Sequence, residues 1–298
     1  MNAMSHQTMA RTGFSLSAFE RQVFAGADGA GMNACVACCD RWADGERVGL
    51  EWFGRADGRT FDALRTDAAR FANLLTARGI RPGDVVAGVL PRGAELLTVI
   101  LGTWRAGAVY QPISTGCGPA AIEARINHTG MAAARLVVTD TVNREKLDLI
   151  DWCPPVLVVT HGATVRLGDG DFMAELVRQS TYFAPVPRTG DDPFLLLTGG
   201  RGGSMRPVLP KLRSMVTILT SIQIGIEPRE SDTGWDVTDP AWSFGLYFAV
   251  IRPLLLGLAA TAHENDNLAA AVAVLAARAE TARRVTAWHQ PEEMLLAA

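Results

Sequence analysis

The chain carries almost no net charge: 28 basic against 31 acidic side chains in 298 residues leave a formal value of -3. A field that weak does not draw a whole protein to nucleic acid or to anionic lipid. Cysteine is scarce and odd in number, five in all, which argues against a disulfide scaffold and for a reducing, cytoplasmic setting. A long uninterrupted apolar run is also missing. The longest stretch, 245–262, is broken by Arg252 and Pro253. A membrane span needs roughly 20 mostly apolar residues, and a mid-segment Arg costs about 2.5–3.5 kcal/mol on insertion scales. The stretch therefore reads as a buried element of a soluble protein. Residues 1–26 have no apolar core behind a basic start, so they do not read as a signal peptide; residues 1–32 are expected to form a mobile arm. What the chain has in quantity is apolar material, 48% against 20% charged. That is enough for a buried core and too much for a disordered chain.

From about residue 60 the apolar pattern alternates between two periods. Phe61–Arg78 puts Leu64, Ala68, Phe71, Leu74 and Leu75 on one helical face, with Gly79 as a natural stop. Val85–Leu90 is a short apolar run suited to a strand covered on both faces. Helices are expected at 94–106, 119–128 and 142–150, and strands at 108–113, 135–139 and 156–160. Strands separated by helices of this length indicate βαβ units and a parallel sheet. The stretch 161–192, rich in Gly, Asp and Pro, is expected to cross between two sub-domains, 33–190 and 191–298. The second would hold an Ala-rich helix near 268–283, a strand at 285–288 and a short apolar helix at 292–298.

The stretch most suggestive of chemistry is DDPFLLLTGGRGGSMRP, 191–207. A buried strand, Phe194–Leu197, runs into Thr198, Gly199, Gly200, Arg201, Gly202, Gly203 and Ser204. Glycines this dense let several backbone N–H groups converge on one anion. Arg201 and Arg206 add positive charge, and Thr198 and Ser204 add hydroxyl donors. A phosphate cradle and a plain Gly-rich surface loop both fit these residues. A Walker A loop is excluded because no Lys is present, and G-x-G-x-x-G fails at Met205.

Four segments carry a resemblance to a known family. Glu46–Leu50 with Asp57–Phe61 and Leu64 resembles its opening strands and first helix. Arg81–Ala87 resembles the following turn and strand. Leu101–Ile113 is close to the core motif K-A-G-A-x-Y-x-P. Asp239–Gly245 and Pro253–Gly257 are similar to A-D-x-G-W-x-x-G and G-P-L-x-x-G. By these motifs the chain resembles the N-terminal part of the adenylate-forming (AMP-binding) superfamily, in its acyl-CoA and acetyl-CoA synthetase branch. The resemblance implies an α/β fold of two stacked, mostly parallel sheets flanked by helices, as in a truncated N-terminal domain of that family.

Laid on the family's phosphate loop T-S-G-T-T-G-x-P-K-G, Thr198 matches the first Thr, Gly200 and Gly203 the glycines, and Arg206 the Lys. Gly199, Arg201 and Gly202 replace three hydroxyl residues. Each lost bond to a charged phosphate is worth roughly 1.5–3 kcal/mol. Arg for Lys keeps the charge but exchanges a compact ammonium for a planar fork. The family's adenine motif, ribose-gripping Asp, hinge and C-terminal domain with its catalytic Lys have no counterpart here. The resemblance thus implies a truncated, degenerate ligase that does not adenylate a carboxylic acid alone, with ATP or AMP held weakly and Mg as accompanying ion. CoA binding is not expected without the C-terminal domain. Trp242, Tyr247 and Gly245 would border an acyl pocket by the same resemblance, and an aromatic core role for Trp242 and Tyr247 stays open.

Two other readings stand beside this one: half of a split acid–CoA ligase completed by a partner chain, and a non-catalytic interaction or regulatory module. The expected ligands are a small carboxylic acid or a nucleotide, and the expected macromolecular partner another protein or a second copy. Elsewhere, Cys35, Cys38 and Cys39 have metal-like or redox-like spacing but no second ligand pair, so a buried helical cluster is expected. Gly168–Asp171 reads as an acidic turn, and Thr189–Asp191 as a linker.

Overall fold

The computed structural model describes residue 24 and residues 31–52, 58–127, 133–199, 206–216, 239, 241 and 243–262. Its local elements follow from residue chemistry. Helix α1 (Ala34–Cys38) starts where the Asn33 side chain accepts from the Cys35 amide. Strands β1 (Val48–Trp52) and β2 (Gly58–Thr60) precede α2 (Phe61–Ala77). Thr60 caps α2 by accepting from the Ala63 amide at 3.2 Å, and Leu64, Ala68, Phe71, Leu74 and Leu75 form its buried face. Gly79, at φ +78°, takes the left-handed turn that ends it.

A parallel sheet follows. Its strands are β3 (Val85–Val89), β4 (Val109–Pro112), β5 (Ala134–Asp140), β6 (Val156–Val159) and β7 (Gly170–Asp171). The helices between them are α3 (Ala94–Arg105), α4 (Pro119–Ile126) and α5 (Thr141–Leu147), and α6 (Phe172–Val177) follows β7. The order across the sheet is β4-β3-β5-β6-β7, every pair parallel. Side chains of β3 alternate between two packed layers. Val86 joins Phe71, Ile100 and Leu101 on one face, while Val85, Ala87 and Val89 meet Ile122, Ile126 and Leu147 on the other. Burial on both faces explains why the strand reads as a continuous apolar run.

The stretch 161–192 does more than connect. It supplies β7 and α6, with Asp171 capping α6 through the Ala174 amide at 2.8 Å. It is then tied to the body where Asn73 Nδ2 donates to Ser180 O and Tyr182 O, each at 3.0 Å. Asn33 Nδ2 reaches both Trp104 O and Val186 O at 2.9 Å.

Beyond it lie a hairpin, β8 (Leu197–Gly199) with β9 (Arg206–Val208), and the segment α7 (Ser243–Gly245), a π-helix (Leu246–Ile251), α8 (Arg252–Leu255) and β10 (Ala260–Ala262). A second sheet has the order β10-β1-β2, in which Leu50 pairs with Ala260 in parallel and β2 runs antiparallel to β1. The apolar stretch 245–262 is thus built into the core, with Leu246, Ile251, Leu254 and Leu255 buried. Among the described residues no helix is long and apolar enough to cross a membrane. The expected elements at 268–283, 285–288 and 292–298 lie outside the described residues, as does the expected mobile arm apart from Phe24, Gly31 and Met32. Phe24 is fully buried.

Candidate functional site

Strand β4 organises the region. Beyond its free edge the chain returns alongside it. Tyr110 N donates to Phe194 O at 3.0 Å and Leu196 N donates to Tyr110 O at 2.9 Å, a parallel bridge between Tyr110 and Leu195. Trp104 reinforces this from α3, its indole N–H donating to Phe194 O at 2.9 Å. Phe194, Leu195 and Leu196 are buried, so the chain enters β8 from a fixed base. The strand expected at 194–197 is therefore split, its first part completing the edge of the parallel sheet and Leu197 opening the hairpin.

The hairpin register pairs Leu197 with Val208, Thr198 with Pro207, and Gly199 with Arg206. These two strands form an antiparallel ribbon. It sets Gly199 opposite the exposed Arg206 and Thr198 opposite Pro207. Gly200, Arg201, Gly202, Gly203 and Ser204 lie outside the described residues. The guanidinium of Arg206, next to a glycine that has no side chain, leaves room beside it for an anion.

Past the carboxyl end of β4 a second segment arrives. Ser114 Oγ donates to Asp239 Oδ2, and Asp239 Oδ1 accepts from the Ala241 amide at 2.9 Å. Ser114 Oγ itself accepts from the Gly116 amide at 3.1 Å. Burial raises the Tyr110 phenol far above its ordinary range, and the nearby Asp239 charge pushes the same way. Gly245 is buried at the end of α7, and Trp242 lies outside the described residues. Two residues into the π-helix, burial raises the Tyr247 phenol to about 12, partly opposed by the neighbouring Ser214. π-helical turns within helices are frequent at functional sites. Ser114 carries no motif of its own, and only its place just after Tyr110–Ile113 could have marked it.

The other constellations settle into structural roles. Cys35, Cys38 and Cys39 are buried on and just after α1, as a helical cluster. Burial raises the Cys38 thiol, while a hydrogen bond with Cys35 and burial raise Cys39. Asp169 pairs with Arg144 at 2.6 Å. The Thr189 amide and hydroxyl donate to Asp192 Oδ2 at 2.7 and 3.0 Å, which holds that carboxyl below its usual range, with Arg188 assisting. Asp191 is an exposed partner of Lys211 at 3.1 Å and Arg213 at 2.5 Å, in keeping with a linker turn.

Known proteins are similar in sequence and fold. The chain is 28% identical over 253 residues to an acetyl-coenzyme A synthetase of Cronobacter sakazakii, covering 76% of this chain and 38% of that protein. Acetyl-coenzyme A synthetase 1 of Candida albicans is 28% identical over 261 residues, with 78% and 38% covered. The crystal structure of a Brucella canis acyl-CoA synthetase superposes with a TM-score of 0.77 at 38% identity, over 88% of this chain and 48% of that one. An anthranilate CoA ligase in complex with anthranoyl-AMP shares the fold at a TM-score of 0.70 and 19% identity, over 78% and 45%. The chain thus spans less than half the length of these relatives. The match to the AMP-binding enzyme family runs over residues 39–297, and the chain belongs to that family as an adenylate-forming, acyl-CoA synthetase-like domain covering part of the full-length enzyme.

Proposed function

We propose that these 298 residues form the nucleotide- and acyl-binding part of a carboxylic acid–CoA ligase, with a weakened phosphate cradle and no capacity to adenylate an acid alone. The observation that carries this reading is the pairing of Gly199 with Arg206, which sets a guanidinium beside a glycine in the hairpin that follows the edge of β4. Thr198 would donate its hydroxyl to a phosphate oxygen. Arg206 would neutralise phosphate charge with two N–H donors in a plane. The backbone N–H groups of 199–205 would supply the rest of the cradle. In the family ATP is a reactant and Mg its accompanying ion. With three hydroxyl positions of the family loop replaced by Gly199, Arg201 and Gly202, retention rests on Thr198, Arg206 and backbone donors.

The acyl end of the ligand would lie against Gly245 and Trp242, a small carboxylic acid being the class that the acetyl-coenzyme A synthetase relatives suggest. The groups that grip ribose and adenine, and the catalytic Lys, would come from chain outside these 298 residues, in the same polypeptide or a partner. Five free cysteines support a reducing, cytoplasmic setting.

Calorimetric titration with AMP and ATP tests the reading. Saturable binding is expected, weakened about tenfold or more in Arg206→Ala, since a charge-assisted bond contributes roughly 1.5–3 kcal/mol. Acid-dependent exchange of pyrophosphate into ATP is expected to be absent. Exchange by the purified chain would overturn the claim of inactivity, and no binding of either nucleotide would overturn the claim of a retained cradle.

A further inference from the structure

Asp239 has both carboxylate oxygens engaged, and by different parts of the fold. Oδ2 accepts from Ser114, just past the end of β4; Oδ1 accepts from Ala241 N at 2.9 Å, an Asx-type turn that leads into α7. Ser114 is itself oriented, because its Oγ also accepts from Gly116 N at 3.1 Å. The turn that leads into the short helix Ser243–Gly245 is therefore fixed to the end of β4.

We propose that Ser114 and Asp239 form a latch that sets the position of Ser243–Gly245, with Asp239 as a positioning residue for the acyl part of the ligand. The proposal rests on the reading that this helix borders the acyl group. Asp239 acts by geometry rather than by charge. One oxygen fixes the turn, the other fixes the turn to the sheet, and loss of either releases α7 from β4. An Asn at 239 keeps an oxygen for Ala241 N–H and offers an amide N–H to Ser114 Oγ, so it preserves both links. An Ala at either position removes the link to the sheet.

The test uses the full chain as wild type, Ser114→Ala, Asp239→Ala and Asp239→Asn. Each is titrated with AMP and with its propyl ester, a stable mimic of an acyl adenylate. The affinity gained from the propyl group is expected to fall about threefold to tenfold in Ser114→Ala and Asp239→Ala, the span of one net hydrogen bond. Asp239→Asn is expected to retain the gain. Hydrogen exchange at the Ala241 amide is expected to accelerate in Ser114→Ala and Asp239→Ala and to stay near wild type in Asp239→Asn.

An unchanged gain in Ser114→Ala overturns the proposal. Asp239→Asn losing as much as Asp239→Ala overturns the geometric role in favour of charge. If the wild type binds neither AMP nor its ester, the functional reading fails separately. Exchange at Ala241 then still decides the latch, faster in Ser114→Ala if it exists and unchanged if it does not. Ser114 is only half-buried, so its Ala variant carries the test if Asp239→Ala does not fold.

Discussion

Arg105 Nη1 lies 2.7 and 2.8 Å from the two carboxylate oxygens of Asp40. The Arg105 side chain is 6% exposed and the Asp40 side chain 19%. Its Nε donates to Phe183 O at 2.7 Å, so one guanidinium ties the end of α3 both to the turn after α1 and to the return segment. Breaking a buried pair by removing one partner costs about 3–5 kcal/mol, because the other charge stays buried. Arg105→Ala is expected to lose that much stability in urea denaturation. Arg105→Lys is expected to recover part of it, since one ammonium cannot reproduce the planar fork that serves Asp40 and Phe183 together. A loss below about 1 kcal/mol in Arg105→Ala would show the pair to behave as a surface one.

Helices α2 and α3 meet at Gly102. A Cβ there would sit 2.7 Å from Phe71 Cβ and 2.9 Å from Ala68 O, and neither the Cβ nor the backbone oxygen can rotate away. Gly102→Ala is expected to destabilise by about 1–3 kcal/mol, the usual range for overpacking. A gain in stability, as expected for Ala over Gly in an open helix interior, would contradict the close approach.

Three of the five thiols, Cys35, Cys38 and Cys39, are buried, while Cys117 and Cys153 are half-buried. In native protein a thiol reagent is expected to modify only the latter two, and all five after denaturation. Burial pushes the Cys153 thiol up to about 11, so its alkylation at pH 8.5 should run well below the rate of a free cysteine. Rapid native modification of Cys38, followed by peptide mapping, would refute the packing of α1.

Burial raises the Tyr247 phenol from 10 to about 12. The fold therefore favours the neutral form. Below pH 10 both states are neutral and the contribution is complete. Between 10 and 12 the unfolded chain ionises first, so stability falls with rising pH. Tyr247→Phe is expected to show a shallower loss across that window in thermal denaturation. Identical pH profiles for the two proteins would place the phenol in water.

How much of this was legible beforehand varies with the element. The α2 face, from Leu64 to Leu75, could be read because a helix buries side chains at a period its own sequence displays. The run Val85–Leu90 announced a doubly covered strand for the same local reason. Strand β7 could not be found, since two residues, Gly170 and Asp171, hold no period. The return strand β9 was equally silent, because Arg206-Pro207-Val208 carries a residue that strands avoid. The pairing of Gly199 with Arg206 depends on β9 and so could not be read either. Ser114 had no local signature, because its meaning lies in Asp239, which is far away in the chain.

By itself the sequence determined the alternation of helix and strand, the apolar layers, the density of glycine at 199–203 and the family motifs, all of which are properties of neighbours along the chain. Only the tertiary structure decided that Leu50 pairs with Ala260, that Gly199 faces Arg206, and that Ser114 holds Asp239. The physical reason is the range of the forces involved. Local periodicity records which side of an element is buried, whereas partner choice depends on hydrogen bonds and packing that exist only after distant segments have met.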